Sequence, residues 1–135
     1  MKELIYLTKS QIMAMHETLI NEFGGIQGLR DQGLLESALA QPRMSAFSED
    51  LYPNAYIKAA VYAFSLSENQ PFLDGNKRIA VSAMAVFLMT NSYELTCSQL
   101  ELYESIMDMA NKKITKEKLA TWLEKNCISL KTKSN

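Results

Sequence analysis

Two stretches with hardly any polar face, Ala55 to about Asn69 and Ile79 to about Asn91, flank a polar decapeptide, Asn69-Gln70-Pro71-Phe72-Leu73-Asp74-Gly75-Asn76-Lys77-Arg78. A helix apolar all round is normally buried on most sides. The second run is unbroken from Ile79 to Met89 except for Ser82, and a run of that length falls well short of the ~20 residues a membrane span needs. The chain is therefore expected to wrap one core around two central helices, with a polar loop wedged between them and no association with a membrane.

The rest of the sequence reads as helix too. Apolar residues recur mostly at helical spacing, and only five Gly and three Pro punctuate them. Thr8 with Gln11 forms a capping box opening a first helix, which carries Ile12, His16, Leu19, Ile20 and Phe23 until Gly24-Gly25. Asp31 caps a second, bearing Leu34, Leu35, Ala38 and Leu39 and stopped by Pro42. Pro42 to Pro53 has no clear period and reads as the longest internal loop, and Asn54 then opens the first central helix. Two amphipathic helices follow the central pair. The first spans about Ser98 to Lys112, with Thr96 or Cys97 at its start and Leu100, Tyr103, Ile106, Met107 and Ala110 as its apolar stripe. The second, Thr115 to about Asn126, is capped by Thr115 and carries Leu119, Trp122 and Leu123. The expected fold is all-α, with about six helices in one domain over residues 1–128 and a polar tail over 129–135.

At 135 residues the chain can build a core without disulfide or structural metal. Cys97 and Cys127 form no CxxC pair, and two free thiols fit a reducing compartment. The N-terminus lacks the apolar region of a signal peptide, so the cytoplasm is the expected location. A net charge of -1 argues against a general polyanion binder, and no direct DNA binding is expected. Charge is uneven, however: seven basic against thirteen acidic side chains up to residue 111, then seven against two. Lys112, Lys113, Lys116, Lys118, Lys125, Lys131 and Lys133 read as a solvated helix face plus a chain end, or as a surface for an acidic partner.

The polar loop carries the chemistry. Pro71 ends one helix and Asp74-Gly75-Asn76 begins the next, so unpaired backbone N–H groups converge near residues 74–77. That geometry and the positive end of the helix dipole favour an anion. Lys77 and Arg78 add two cations where dipole logic alone prefers carboxylates, an arrangement that costs stability unless something negative binds. Asp74 reads either as a cap and ion-pair partner or as the single carboxylate that holds Mg²⁺ against a bound polyphosphate. The GxxxxGK[ST] spacing of a P-loop is absent.

From Gln70 to Arg78 the string resembles the Fic/Doc motif, HPFxxGN[GK]R, at every fixed position except the first, and the Lys77 version resembles the Doc (death on curing) branch. Gly24-Gly25, Gly28-Leu29-Arg30-Asp31 and Leu34-Leu35-Glu36-Ser37-Ala38-Leu39 are similar to the N-terminal signature of Doc-type toxins, and the likeness extends from Tyr52 through Tyr93. The resemblance implies a compact helical Fic fold. For Doc-type members it also implies transfer of the ATP γ-phosphoryl group to a hydroxyl of translation elongation factor Tu. By the same resemblance Asp74 holds Mg²⁺, Asn76 and Arg78 contact phosphates, Gly75 permits close backbone approach, and Phe72 anchors the loop in the core. Lys77 stands where adenylylating relatives carry Gly and is associated with a reversed nucleotide that presents its γ-phosphate. A cognate antitoxin is implied as well, its C-terminal segment folding into a groove on the toxin, and the 42–53 loop corresponds to the flap that aligns a target segment.

The family's general base, the motif His, is Gln70 here. An amide can hydrogen-bond an attacking hydroxyl but cannot take its proton, and losing a general base typically costs ~10² to 10⁴ in rate. The expectation is a nucleotide-binding scaffold of Doc ancestry with little transferase activity, Gln70 being either a natural degeneration or an inactivating substitution. The competing readings are a non-catalytic module that binds nucleotide or antitoxin, and an adenylyltransferase. His16, the sole histidine, lies on an apolar stripe and reads as a core residue rather than a replacement base. Arg30-Asp31 reads as a turn or cap with Glu36 nearby, and Met13, Met15, Met84, Met89, Tyr52, Tyr56 and Tyr62 as packing residues.

Overall fold

Side-chain caps set where the helices start. Thr8 Oγ1 accepts the Gln11 amide while Gln11 Oε1 accepts the Thr8 amide, opening α1 (Lys9–Phe23). Asp31 opens α2 (Gln32–Ala40) and Asn54 opens α3 (Ala55–Asn69) in the same way, each carboxylate or amide oxygen accepting the N–H three residues on. Each such cap is worth about 1 kcal/mol over alanine. The computed structural model describes residues 3–130.

After α2, Pro42 does not simply stop the chain; it lies in a short 3-10 turn, Gln41–Arg43. The loop then folds into a two-stranded hairpin, β1 (Ser45–Ala46) with β2 (Glu49–Asp50), turned by Phe47 and Ser48 in positive-φ conformations. Two residues per strand leave no alternating pattern to read, which is why the segment looked irregular. α4 (Asn76–Thr90) follows the polar loop, and β3 (Tyr93–Leu95) pairs antiparallel with β4 (Cys127–Ser129) beyond α5 (Gln99–Ala110) and α6 (Lys116–Lys125). The described residues thus hold six α-helices and two very small sheets, a mostly helical architecture. The ordered pairing runs past residue 128: Ser129 belongs to β4 and the Leu130 amide donates to Ser92 O. The remainder of the expected tail, with Lys131 and Lys133, lies outside the described residues.

α3 and α4 form the centre. α3 packs on α4, α6 and α2, and α4 also contacts α1 and α5. Ala59, Ala60, Tyr62, Ala63 and Leu66 from α3 meet Ile79, Ala80, Ala83, Met84 and Phe87 from α4, all fully buried. The alanines let the two helices approach, and each buried Leu, Ile or Phe contributes roughly 1.5–3 kcal/mol. Tyr62 is accommodated because its hydroxyl accepts the Leu7 amide at 3.0 Å.

Several sequence expectations change. α5 is capped by Ser98, through a reciprocal pair with Glu101, and not by Thr96 or Cys97. It buries Leu102, Ser105, Ile106 and Met109, whereas Leu100 is 66% exposed. Met13 and Met89 are exposed rather than core, while Met84 is fully buried. Lys58, in the midst of the apolar α3, is buried at 1% exposure. Its ammonium donates to Pro42 O at 2.9 Å and pairs with Asp50 at 3.3 Å, so the base of the hairpin is fastened to the core.

Candidate phosphate-binding site

The polar loop closes on itself before anything else touches it. The Asn76 side chain accepts the Phe72 amide and donates to the Phe72 carbonyl, both at 3.0 Å. This clasp turns the chain through residues 72–76 and spends both ends of the amide on backbone, so Asn76 faces a ligand with its main chain. Phe72 is 2% exposed and stacks on His16.

A segment forty residues upstream holds the loop from outside. Leu29 and Phe72 form an antiparallel bridge, the Arg30 and Asp31 amides donate to Pro71 O, and the Leu73 amide donates to Gly28 O. Arg30 also reaches the end of α3, Nε donating to Gln70 O at 2.7 Å and Nη2 to Asn69 O at 2.8 Å. A cation on the last carbonyls of a helix satisfies orphan acceptors and complements the dipole. Arg30 is therefore a clamp on the loop, while Asp31 beside it caps α2 as expected. Glu36 takes bonds from Gln32 and Lys9, which hold its carboxyl below the usual range. The clamp also explains why Gln70 keeps a left-handed backbone, φ 47, as the C-terminal cap of α3.

Asp74 is not the cap of α4: Gly75, itself left-handed at φ 74, occupies that position without a side-chain bond. The Asp74 carboxylate is turned back toward the 24–28 segment, Oδ2 accepting the Ile26 amide at 3.1 Å and Oδ1 the Gly75 amide at 2.9 Å. A Cβ on Gly25, where φ is +122, would lie 2.8 Å from that Oδ2. The glycine is required for the carboxylate to fit. Neither Lys77 nor Arg78 pairs with Asp74 among the described residues, contrary to the ion-pair reading.

These elements bound a cleft of ≈ 380 Å³ lined by Gln70, Leu73, Asp74, Gly75, Asn76, Lys77, Arg78 and, from α5, Tyr103. The N-terminus of α4 opens into it with Lys77 and Arg78 on its first turn and no acidic residue there. Two cations set against the positive end of a dipole, neither of them paired with a carboxylate among the described residues, favour a bound anion of high charge. Among the described residues no three His, Cys, Asp or Glu side chains gather to hold a metal. Asp74 fits a cation only as one ligand beside oxygens of the anion itself. With one N–H accepted per carboxylate oxygen, it retains lone pairs for that role.

Elsewhere the candidates disperse. His16 is 2% exposed and its Nε2 donates to Asp74 O at 2.7 Å, so it supports the loop from behind. Lys112 pairs with Glu68 at 3.5 Å, and Lys116 sits over the Phe64 ring, so these do not face the cleft. The roles of Arg30 and Gly25 have no signal in the residues themselves beyond their place in the N-terminal signature, and that of Ile26 has none at all.

The Fic/DOC family model matches residues 6–88, which take in α1, the clamp segment, the hairpin and the whole loop. Toxin Doc of Mycolicibacterium smegmatis (strain ATCC 700084 / mc(2)155) is 42% identical over 73 residues, 54% of this chain and 56% of that protein. Protein kinase doc of Escherichia phage P1 is 23% identical over 90 residues, 67% of this chain and 71% of the relative. The match thus spans little more than half the length of the mycobacterial relative. With its loop, its clamp, α3 and all but the last two residues of α4 inside the matched span, the chain belongs to the Fic/DOC family.

Proposed function

We propose that this protein is a Doc-type toxin of a toxin–antitoxin pair, built to pass the γ-phosphoryl group of ATP to a hydroxyl of elongation factor Tu, and that Gln70 leaves it with little of that activity. The observation that carries this reading is the cleft at the start of α4, where Lys77, Arg78 and free backbone amides face the Asp74 carboxylate. In the transfer, a bond forms between the hydroxyl oxygen and the γ-phosphorus, the bond to the β–γ bridging oxygen breaks, and ADP leaves. Lys77, Arg78 and the amides of residues 76–78 stabilise the spreading phosphoryl charge. Asp74 would hold Mg²⁺ together with phosphate oxygens, and the ion when bound neutralises charge on the triphosphate. The proton of the hydroxyl needs an acceptor at position 70, and a carboxamide is not one.

The β1–β2 hairpin supports a flap role for the 42–53 loop, and its exposed strands suit backbone pairing with a target segment. An antitoxin segment is the partner we assign to the shallow, mostly apolar trough between α1 and α4, lined by Ala14, Met15, Thr18, Leu19, Ser82 and Val86. No described helix is long and apolar enough to cross a membrane, and a target in translation puts the protein in the cytoplasm. Gln70 favours a second reading, a module that keeps the anion cleft only to bind nucleotide or antitoxin.

The Gln70→His variant separates these. Kinase ancestry predicts growth arrest on its expression and transfer of label from γ-labelled ATP to elongation factor Tu. Transfer from α-labelled ATP instead would make the protein an adenylyltransferase. A folded, nucleotide-binding variant that transfers neither label and leaves growth unaffected would leave the binding module standing.

A further inference from the structure

The Arg78 guanidinium has no carboxylate or carbonyl partner among the described residues. Its contact is the face of Phe23, with Cζ 4.2 Å from the ring centroid. Phe23 is the last residue of α1 and is 55% exposed, a large apolar side chain left half in water; it lines the neighbouring pocket, which shares Arg78 and Tyr103 with the cleft. A guanidinium stacked on a ring uses its face and keeps its five in-plane N–H donors, whereas a bidentate salt bridge would occupy two of them. An unsupported arginine on the first turn of α4, pushed outward by the helix dipole and by neighbouring Lys77, would sample many rotamers and be ordered only by the ligand.

We propose that Phe23 is a positioning residue for Arg78, its ring holding the guanidinium at the mouth of the cleft with the N–H edge left for phosphate. The inference rests on the phosphate-binding reading above. It makes Phe23 act through Arg78 alone, without touching nucleotide.

Calorimetric titration of the folded chain with Mg·ATP tests it through a double-mutant cycle. Arg78→Ala is expected to weaken binding about tenfold or more, and Phe23→Leu about two- to fivefold, the affinity equivalent of an exposed cation–π contact. Phe23→Tyr should bind as the parent does, and Phe23→Leu should cost nothing further in the Arg78→Ala background. Phe23→Met repeats the test should leucine disturb the end of α1. Parental affinity for Phe23→Leu alongside weak binding by Arg78→Ala would overturn the role of Phe23 alone. A Phe23→Leu loss that persists in the Arg78→Ala background would overturn it too, placing the ring against the ligand directly. No binding by the parent, or binding indifferent to Arg78→Ala, would overturn the phosphate site and this inference with it.

Discussion

The His16 imidazole lies flat on the Phe72 ring, centroids 3.7 Å apart and planes 9° from parallel, while its Nε2 is 2.7 Å from the Asp74 carbonyl oxygen. A carbonyl only accepts, so that nitrogen carries the proton and donates it. One buried ring on α1 thus supports the loop at two points, residue 72 through its face and residue 74 through its edge. His16→Leu keeps the bulk but strands the carbonyl, and should cost about 1–3 kcal/mol in urea unfolding. Amide exchange should accelerate at residues 72–76 first. Unchanged exchange there would contradict the support role.

Arg30 does the same from the other side. Arg30→Ala removes two charge-assisted bonds to the end of α3 and should destabilise by about 2–3 kcal/mol. Arg30→Lys, a point charge without the fork, should recover only part of this. Denaturant midpoints for the two variants give the comparison, and equal midpoints would argue against the bidentate clamp.

Gly25→Ala should be worse than its size suggests. The added methyl meets Asp74 Oδ2 and must also adopt φ +122. We expect a loss of about 1–3 kcal/mol in thermal unfolding. Mg²⁺-dependent ATP binding should weaken more than metal-free binding, because the carboxylate is displaced while Lys77 and Arg78 stay.

Burial raises the Tyr62 hydroxyl to about 12, and the Cys127 thiol, also buried, to about 11. Both groups are neutral when folded and ionise sooner in the unfolded chain. Their contribution is therefore complete below the ordinary Cys and Tyr values, about 8.5 and 10, and is lost as pH rises through the folded values. Denaturant-derived stability should be flat near neutrality and fall steeply between about pH 9 and 12. Tyr62→Phe should flatten the upper part of that fall, at the expense of the bond to Leu7. A pH profile identical to the parent's would contradict the assignment.

The helix starts at Thr8, Asp31, Asn54 and Thr115 were legible because a cap is written within four residues. So was the buried central pair, whose composition admits no solvent face. The apolar stripe of α5 is legible only in part: Ile106 is buried as its spacing predicts, but Leu100 is exposed and Tyr103, Met107 and Ala110 are half-buried, because packing on α3 and α4 turns Leu102, Ile106 and Met109 inward. Lys58 and Arg30 were missed for a related reason. Their partners lie 16 and 40 positions away, and a polar bond across the fold leaves no periodicity. Within the candidate site the residue types were visible in the string 70–78, but their division of labour was not. Asn76 clasps Phe72, Gly75 caps α4, and Asp74 leans on a glycine from the far side of α1.

On the proposed function, the start of α4 gathers a triphosphate with its metal. Amide chemical shifts followed while Mg²⁺ and a non-hydrolysable ATP analogue are titrated into the ¹⁵N-labelled protein test it most directly. Saturable shifts are expected at residues 74–78 and Ile26, lost for Lys77→Ala/Arg78→Ala and reduced without Mg²⁺. No shifts at millimolar analogue, or shifts elsewhere with residues 74–78 unmoved, would contradict it.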